Sequence, residues 1–552
     1  MVKDNFFIKF INKNIFLNSL PLFFLFVAVL ILFQSAPKEG GFWWTDASRH
    51  AMDGVFWRDF FKDFPFGNIR GYAINYYLRY PCLSIVFYPP LFALTEAIVF
   101  TFLGISNFAA LLTVAIFYLL TAWAAFFLAR LWLPAWQAFA VSLWFISFHE
   151  VAFWGRQVML EIPVYAFLLW SIYFLFYYLK TNKICFIYIS MVVFTMGLYT
   201  KQTIVFIIPV MLWVLLRRER LALFKNYHFF ISILLFTIII APLVFVTFKF
   251  GIFNLGQSIG ILFEKQMPRF SLKSWLFYAR LLPHQVGWPV FLSTALFLII
   301  NIFKKKRWPN IFILEVLLIW FIWGYVFSSF LSLKDSRYDI FILFPLALIT
   351  VMLFSISLPR RAASLLASLF ALTAFIYTIF YDRVPFVEGY RQISDFIAAK
   401  APKNSVILFS GSRSGSFIFN LRCHEERRDL SVLRLEKILF KYAAHRELGI
   451  EDYGLTELKI LDVVDKYNVS YIVNQPDFWL DLKSMQRFQK ILHYPQFKKI
   501  AHVTLFSNYN VLDKEVVIYH NTKYTDKLLP NLKLSIPIIG IEVEGSIDGR
   551  VK

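Results

Sequence analysis

Long apolar runs, broken by short clusters of charge and aromatic side chains, set the pattern over residues 1–383. A membrane-spanning helix needs about 20 apolar residues, fewer where its ends are buried by protein. Runs of that order fall at 15–33, 107–131, 134–149, 161–180, 184–200, 203–217, 229–248, 286–303, 311–330, 339–358 and 362–381. A further run, 88–104, is short, opens on Pro89-Pro90 and carries Glu96 in its middle. Past residue 384 the apolar runs shorten to strand length: SVILFS (405–410), LSVLRL (430–435), VSYIVN (469–474), HVTLFS (502–507) and EVVIYH (515–520). Helix-like stretches, GYRQISDFIAAKAP and TELKILDVVDKYN, lie between some of them. The pattern predicts an α-helical polytopic membrane domain over 1–383, with about eleven spans. A soluble α/β domain is predicted over 384–552.

Composition agrees. The 552 residues are 59% hydrophobic and 16% charged, far too apolar for a soluble domain. The net charge of +21 raises nucleic acid as a partner, but the basic residues cluster at the ends of apolar runs, where the positive-inside effect explains them and nucleic acid is not needed. With the N-terminus cytoplasmic and 88–104 lying along the interface, Arg130, Lys180, Lys183, Arg217–Arg220, Lys304–Arg307 and Arg360-Arg361 all fall inside. If 88–104 crosses, Arg217–Arg220 and the Lys304 cluster land outside, so the non-crossing arrangement is expected. The first span is read as uncleaved, because FQSAPKEGG is a poor cleavage site. The outer segments are then 34–106, 150–160, 201–202, 249–285, 332–338 and the tail. The first of these mixes Trp, Tyr and Phe with charge, as interfacial helices do. Cys82, Cys185 and Cys423 are far apart and form no metal spacing.

Charge that looks out of place gathers on that outer side. WWTDASRHAMDG (43–54) sets Asp46, Arg49, His50 and Asp53 within a turn or two just beyond the first apolar run. A carboxylate there can accept a proton from an attacking hydroxyl, and an Arg one turn on can neutralise a phosphate or hold the carboxylate. A solvated interfacial helix face is the blander explanation. Tyr88-Pro89-Pro90 predicts a rigid entry into a helix whose free N–H groups suit an anion, or simply a helix start. In HEVAFWGRQVMLEIP (149–163), Glu161 opens a span and needs a partner, for which Arg156 is a candidate. Lys201 breaks an apolar stretch at its outer end, against the positive-inside bias, and either snorkels or holds a phosphate. LKDSRYDIF (333–341) repeats the theme with Arg337 and Tyr338. The loop 249–285 adds Glu264, Lys265, Arg269, Lys273, Arg280 and His284, of which Arg269 and His284 are possible substrate contacts. RSGS (413–416) lacks phosphate-loop spacing and is given no ligand.

Taken together these residues resemble the GT-C glycosyltransferases, in the branch similar to dolichyl-phosphate-mannose–protein mannosyltransferases and lipid A aminoarabinose transferases. The resemblance rests on Asp46 with Arg49 three further on, Pro-Pro-Leu at 89–91, Arg156 with Glu-Ile-Pro at 161–163, Lys201 after Gly-Leu-Tyr-Thr, and Arg337-Tyr338. It covers residues 15–381, with an α/β tail usual in relatives. It implies a polyprenyl-phosphate sugar donor, transferred with inversion to a lipid, glycan or protein acceptor at the outer face of a prokaryotic cell membrane. On that resemblance Asp46 is the catalytic base or an acceptor-orienting carboxylate; from its own position at a span end, Glu161 is the next catalytic candidate. The resemblance makes Arg49, Lys201 and Arg337 candidates for the donor phosphate; by their own placement Tyr338 joins them, and His50, Tyr88, Pro89, Pro90, Arg156, Arg269 and His284 are candidate substrate contacts. Ala47 stands where relatives often have a second acid, and Tyr88 where some have Lys and others His. An aminoarabinose donor is therefore not supported, and no metal or other cofactor is indicated. A transporter or flippase of lipid-linked sugars is the rival from another class, predicting charges deep in spans and an internal repeat. An O-antigen ligase or polymerase would share the donor and the outer loops. An inactive scaffold would leave Asp46 and Lys201 unexplained.

Overall fold

The computed structural model describes residues 3–259, 267–303, 311–442, 446, 449–509 and 514–549. The helices of the first region run α1 (Lys3–Gln34), α2 (Thr45–Asp63), α3 (Ile69–Arg79), α4 (Leu91–Leu103), α5 (Asn107–Arg130), α6 (Ala135–Ile146), α7 (His149–Trp154), α8 (Glu161–Thr181), α9 (Cys185–Leu198) and α10 (Ile208–Glu219). There follow α11 (Tyr227–Phe250), α12 (Ile252–Ile259), α13 (Leu272–Val286), α14 (Trp288–Phe303), α15 (Ile311–Phe330), α16 (Leu343–Ser357) and α17 (Arg360–Tyr381).

Each expected span falls on a helix, but among the described residues only 6 helices are long and apolar enough to cross a membrane alone, those at 107–130, 161–181, 227–250, 311–330, 340–357 and 360–381. The expected span 286–303 is one arm of a broken pair. At Gly287, whose φ is +86°, α13 turns into α14 through 106°. The span expected at 203–217 begins as a 3-10 turn, Gln202–Ile207, before α10 takes over. With 13 residues, α4 reaches only about 20 Å at 1.5 Å per residue, short of an apolar bilayer core. Burial sorts the bundle. Helix α8 is wrapped on nearly all sides, whereas α11 and α17 leave Leu234, Ile238, Phe245, Leu365, Leu369 and Phe380 exposed, as lipid-facing helices do. The basic ends of α8 and α10 meet α15 around one cavity lined by Lys180, Arg217 and Arg218, at the end of the bundle away from Glu161 and Lys201. The Lys304–Arg307 cluster, and Glu264 and Lys265, lie outside the described residues. Cys82 is buried as a small packing residue, whereas Cys185 is exposed.

The second region holds β1 (Val387–Glu388), α18 (Tyr390–Lys400), β2 (Val406–Ser410), α19 (Ser414–Arg422), β3 (Ser431–Arg434), α20 (Leu435–Leu439), β4 (Phe440–Tyr442), β5 (Ile450–Asp452), α21 (Glu457–Lys466), β6 (Val469–Asn474), α22 (Lys483–Ile491), β7 (Phe497–Thr504), β8 (Phe506–Ser507), β9 (Glu515–Asn521), β10 (Leu532–Ile536) and β11 (Ile541–Gly545). Five strands form one sheet in the order β3-β2-β6-β9-β7, with β2 parallel to β3 and β6, and β9 antiparallel to both its neighbours. The period of two in a strand sends alternate side chains to opposite faces. Ile407 and Phe409 of β2, with Val473 and Ile518, join the core of the helical bundle. Val406 and Leu408, with Leu433 and Ile472, pack instead on Met485 and Phe488 of α22 in a separate core.

The first loop is the hinge between these regions. Gly41 bridges Val387 in antiparallel fashion, and α2 packs between α4 and α19. Both faces of α2 need a glycine. A Cβ on Gly54 would lie 2.6 Å from Glu96 Cβ, and one on Gly415 would lie 2.1 Å from Ser48 Oγ. In this way the α/β region presses the start of α2 against the bundle.

Candidate active site

Asp46 sits in the first turn of α2, where the helix dipole favours an acid. Its neighbour one turn on, Arg49, donates from Nη1 to Asp46 Oδ1 at 3.3 Å. Burial pushes the Asp46 carboxyl up, but Arg49 and then Arg337 outweigh it and hold it below the ordinary carboxylate range. Asp46 is therefore ionised at neutral pH. From the opposite side, the loop between α15 and α16 extends Arg337, whose Nη1 stands 3.9 Å from Asp46 Oδ2. The Nε of the same guanidinium lies 3.8 Å from Glu161 Oε1 and 3.4 Å from Asp335 Oδ2. Arg337 thus bridges the two carboxylates proposed from the sequence, Asp46 and Glu161. Its buried Nε makes no hydrogen bond, and neither does Glu161 Oε2. Burial lowers the Arg337 guanidinium, yet Glu161 and the other acids more than restore it, so it stays charged.

Lys201 enters from the end of α9 and donates from Nζ to Glu161 Oε1 at 2.5 Å. Glu161 itself is only 1% exposed at the first residue of α8. An isolated carboxylate there would cost several kcal/mol, and Lys201 and Arg337 offset that. Aromatic rings hold the cations in place. Arg337 lies over Trp154 at 5.7 Å and Tyr338 at 5.3 Å, Lys201 lies 5.7 Å from Tyr338, and Trp154 packs on Trp44 at 5.6 Å. Burial pushes the Tyr338 hydroxyl up to about 12, so it is a neutral donor.

Tyr88 packs edge-on to His50 at 4.7 Å. His50 is buried, and burial brings its imidazole down to about 4, so at neutral pH it adds no positive charge. The expected anion-binding start at Pro89-Pro90 takes another form. The Leu91 N–H donates to the Tyr199 carbonyl at 3.0 Å, which locks α4 beside the turn that carries Lys201. Arg156 does not pair with Glu161. It donates from Nε to Ala152 O and from Nη1 to Ser35 Oγ and Asp382 O, each at 2.9 Å, tying the end of α1 to the end of α17. Arg269 lies over Phe330 and reaches Ser332 at 3.4 Å, and His284 is exposed against Trp288, so the structure brings neither into the cluster.

Reading by sequence passed over the contribution of the α/β region. Arg413, in the RSGS stretch, covers the Trp43 ring at 4.5 Å and donates to the Trp43 carbonyl, just ahead of α2. Further along α2, Asp59 is fully buried, accepts from Tyr76 OH at 2.7 Å and pairs with Arg422 Nη2 at 2.5 Å. Arg428 grips Asp63, and Arg58 and Lys62 grip Glu425. No local pattern marks these pairs, since Asp59 and Arg422 are 363 residues apart.

Residues 88–245 match the family described as dolichyl-phosphate-mannose-protein mannosyltransferase. No curated protein matches the sequence. Among solved structures the chain is similar to ArnT from Cupriavidus metallidurans bound to undecaprenyl phosphate, with a TM-score of 0.59 at 13% identity, covering 91% of this chain and 98% of that one. The apo form of the same protein matches at TM-score 0.57 and 15% identity over the same shares. Arabinofuranosyltransferase AftD from Mycobacteria matches at TM-score 0.52 and 15% identity over 93% of this chain and 40% of that one. At these identities the likeness is one of fold. The chain is an integral membrane protein with the fold of the GT-C glycosyltransferase superfamily, and over residues 88–245 it carries the sequence pattern of the dolichyl-phosphate-mannose-protein mannosyltransferase family.

Proposed function

We propose that the protein is a membrane glycosyltransferase that moves a sugar from a polyprenyl-phosphate donor to an acceptor hydroxyl. The observation that carries this reading is the meeting of Asp46, Glu161, Lys201 and Arg337, from separate chain segments, with Arg337 spanning both acids and holding a free, buried N–H. The fold relative bound to undecaprenyl phosphate supports a lipid-phosphate ligand for this architecture.

The steps follow from charge. The acceptor oxygen attacks C1 from the face opposite the phosphate, the C1–O bond to phosphate breaks, and the acceptor proton passes to Asp46. Configuration at C1 inverts. The departing polyprenyl phosphate gains negative charge as that bond breaks, so cations facing it bind the transition state better than the donor. Arg337, Lys201 and Arg49 fill that role, and Glu161 keeps Lys201 and Arg337 aimed before the donor arrives. Asp46, held ionised, orients the hydroxyl and takes its proton once bond formation has made it acidic. A groove of about 900 Å³ is lined by Leu83, Ile85, Phe87 and Phe250, which offer apolar surface to a prenyl chain, and by Arg49, Arg70 and Lys249, which offer charge to its phosphate. The basic ends of α8 and α10 support a reading in which the end of the bundle away from Glu161 and Lys201, with the N-terminus, faces the cytoplasm of a prokaryotic cell.

The test uses purified protein and short-chain polyprenyl-phosphate hexoses or pentoses, following release of polyprenyl phosphate. Wild type releases it, and Asp46→Asn does not. Equal release by both removes Asp46 as the base, and a wild type that neither binds nor turns over any such donor overturns the reading.

A further inference from the structure

We propose that Gln285 is a positioning residue that holds Arg337 between Asp46 and Glu161. The acids alone do not hold Arg337 there. Its guanidinium stands 3.9 Å from Asp46 and 3.8 Å from Glu161, beyond hydrogen-bond range, so its place between them depends on where the backbone puts it. Its nearer partner Asp335, 3.4 Å away, rides on the same loop. That loop, 331–339, has no regular structure between the end of α15 and the 3-10 turn Ile340–Ile342. Most of its bonds return to itself or to α15. Lys334 Nζ donates to the Ser328 and Ser329 carbonyls at 3.0 and 2.6 Å, Ser328 Oγ donates to the Tyr338 carbonyl at 3.2 Å, and the Arg337 N–H donates to Asp335 Oδ1 at 3.1 Å. At the loop's start the Ser332 N–H donates to the Ser258 carbonyl of α12 at 3.0 Å. These bonds shape the loop, but they do not fix the Arg337 end of it against the bundle.

Gln285 grips that end from outside. Its Nε2 donates to the Ser336 carbonyl at 3.0 Å and to Asp339 Oδ1 at 2.7 Å, one bond on each side of Arg337-Tyr338. Both side chains are dry, with Gln285 2% and Asp339 0% exposed. Water does not compete for these bonds, and losing them strands a buried carbonyl and a buried carboxyl. The orientation of the amide follows from its partners. Turned over, it would set Oε1 against the Ser336 carbonyl, acceptor on acceptor. Oε1 itself makes no hydrogen bond, so the polar head of Gln285 is committed to the loop. Gln285 sits in the last turn of α13, two residues before Gly287, where the chain bends through 106° into α14. Helix α13 is fastened along α15. Ser274 Oγ donates to the Ser329 carbonyl at 3.3 Å, and Tyr325 OH donates to the Trp275 carbonyl. The two helices form one frame, and from its bent end Gln285 reaches across to the loop that leaves α15. The bend ends α13 where its amide meets the backbone beside Arg337.

That Arg337 serves the reaction rests on the transferase reading, but that Gln285 holds it in place does not. Two readouts keep them apart. The first is hydrogen–deuterium exchange of the full-length protein in detergent, without donor. Gln285→Leu speeds exchange of the amides at 333–339, while those of α8 and α16 keep their wild-type rates. The second is release of polyprenyl phosphate from a short-chain donor, measured on folded protein. Gln285→Leu lowers kcat about 10-fold and leaves the KM for donor within about 2-fold, because a misplaced Arg337 is missed in the transition state more than in the bound donor. In the Arg337→Gln background the same change lowers kcat no further, since a residue that acts through Arg337 has lost its target. A merely structural glutamine would add its loss in both backgrounds. Gln285→Met, unbranched like the native side chain, gives the same results where the leucine variant does not fold. Unchanged exchange at 333–339, or an additive loss on top of Arg337→Gln, overturns the proposal. A wild type that turns over no donor strikes the transferase reading instead, and the exchange readout then decides the proposal by itself.

Discussion

Helix α2 carries two ion clusters of similar composition and opposite construction. At its start, Asp46 meets Arg49 and Arg337 at 3.3 and 3.9 Å, with side-chain exposures of 24%, 28% and 17%. Three turns on, Asp59 meets Arg422 at 2.5 Å, with both partners shut away from solvent and Tyr76 closing the pair. Asp59 Oδ1 and Arg422 Nε and Nη1 make no hydrogen bond, but the pair is closed to solvent and so out of a ligand's reach, and breaking it leaves a buried charge. The open cluster is partly exposed and holds its charges at distances that the proposed donor phosphate can bridge. The lesson is that pairing distance and access to solvent separate a site from a strut where residue type does not.

The sharpest way to break that comparison is to neutralise each acid in turn. Asp46→Asn keeps shape and removes the proposed base, and transfer falls about 10²–10⁴-fold while the unfolding midpoint drops only slightly, by what the part-exposed pairing with Arg49 contributes. Arg422→Ala does the reverse. It strands Asp59 and destabilises the docked α/β region by about 3–5 kcal/mol, seen as a lower unfolding midpoint and faster proteolysis within 384–549. Arg337→Gln removes a charge proposed to face the leaving phosphate and costs about 10²-fold in turnover, with Arg337→Lys recovering part of it in a donor-release assay.

The smallest effect sharpens the contrast through pH. Burial raises the Asp53 carboxyl to about 7, against the pull of Ser84, whose N–H and hydroxyl both donate to it. A folded-state value above the unfolded one means that this group's contribution is whole below about pH 4 and is lost as pH rises through about 7. Asp53→Asn abolishes a stability slope of up to about 1.4 kcal/mol per pH unit across that window, measurable as unfolding midpoints at pH 5 and 7.5. Asp46, held low, contributes in the other sense, with stability present above about pH 4 and lost only in acid.

Much of this was legible in the sequence for physical reasons that can be named. Apolar runs located the helices because lipid tolerates little else, and period-two stretches located β2, β3, β6 and β9. Asp46, Arg49, Glu161, Lys201 and Arg337 stood out because charge at the end of an apolar run needs a reason, and the fold brings all five together. The bend at Gly287 stayed hidden, since hydropathy carries no direction. The partner of Arg156 was misplaced because Glu161 is near in sequence whereas Ser35 and the Asp382 carbonyl are near only in space. Helix α19 went unread behind Gly415 and its serines, whose small size serves the close approach to Ser48. The hairpin β10–β11 was passed over although Leu532, Leu534 and Ile536 alternate along it.

The most direct measurement sets Asp46→Asn beside Asp59→Asn, recording for each the unfolding midpoint and the release of polyprenyl phosphate from a short-chain donor. The account predicts a stable, inactive Asp46→Asn and a destabilised Asp59→Asn whose folded fraction still turns over donor. A destabilised Asp46→Asn that keeps its turnover, or a stable Asp59→Asn that loses it, would contradict the assignment of site and strut.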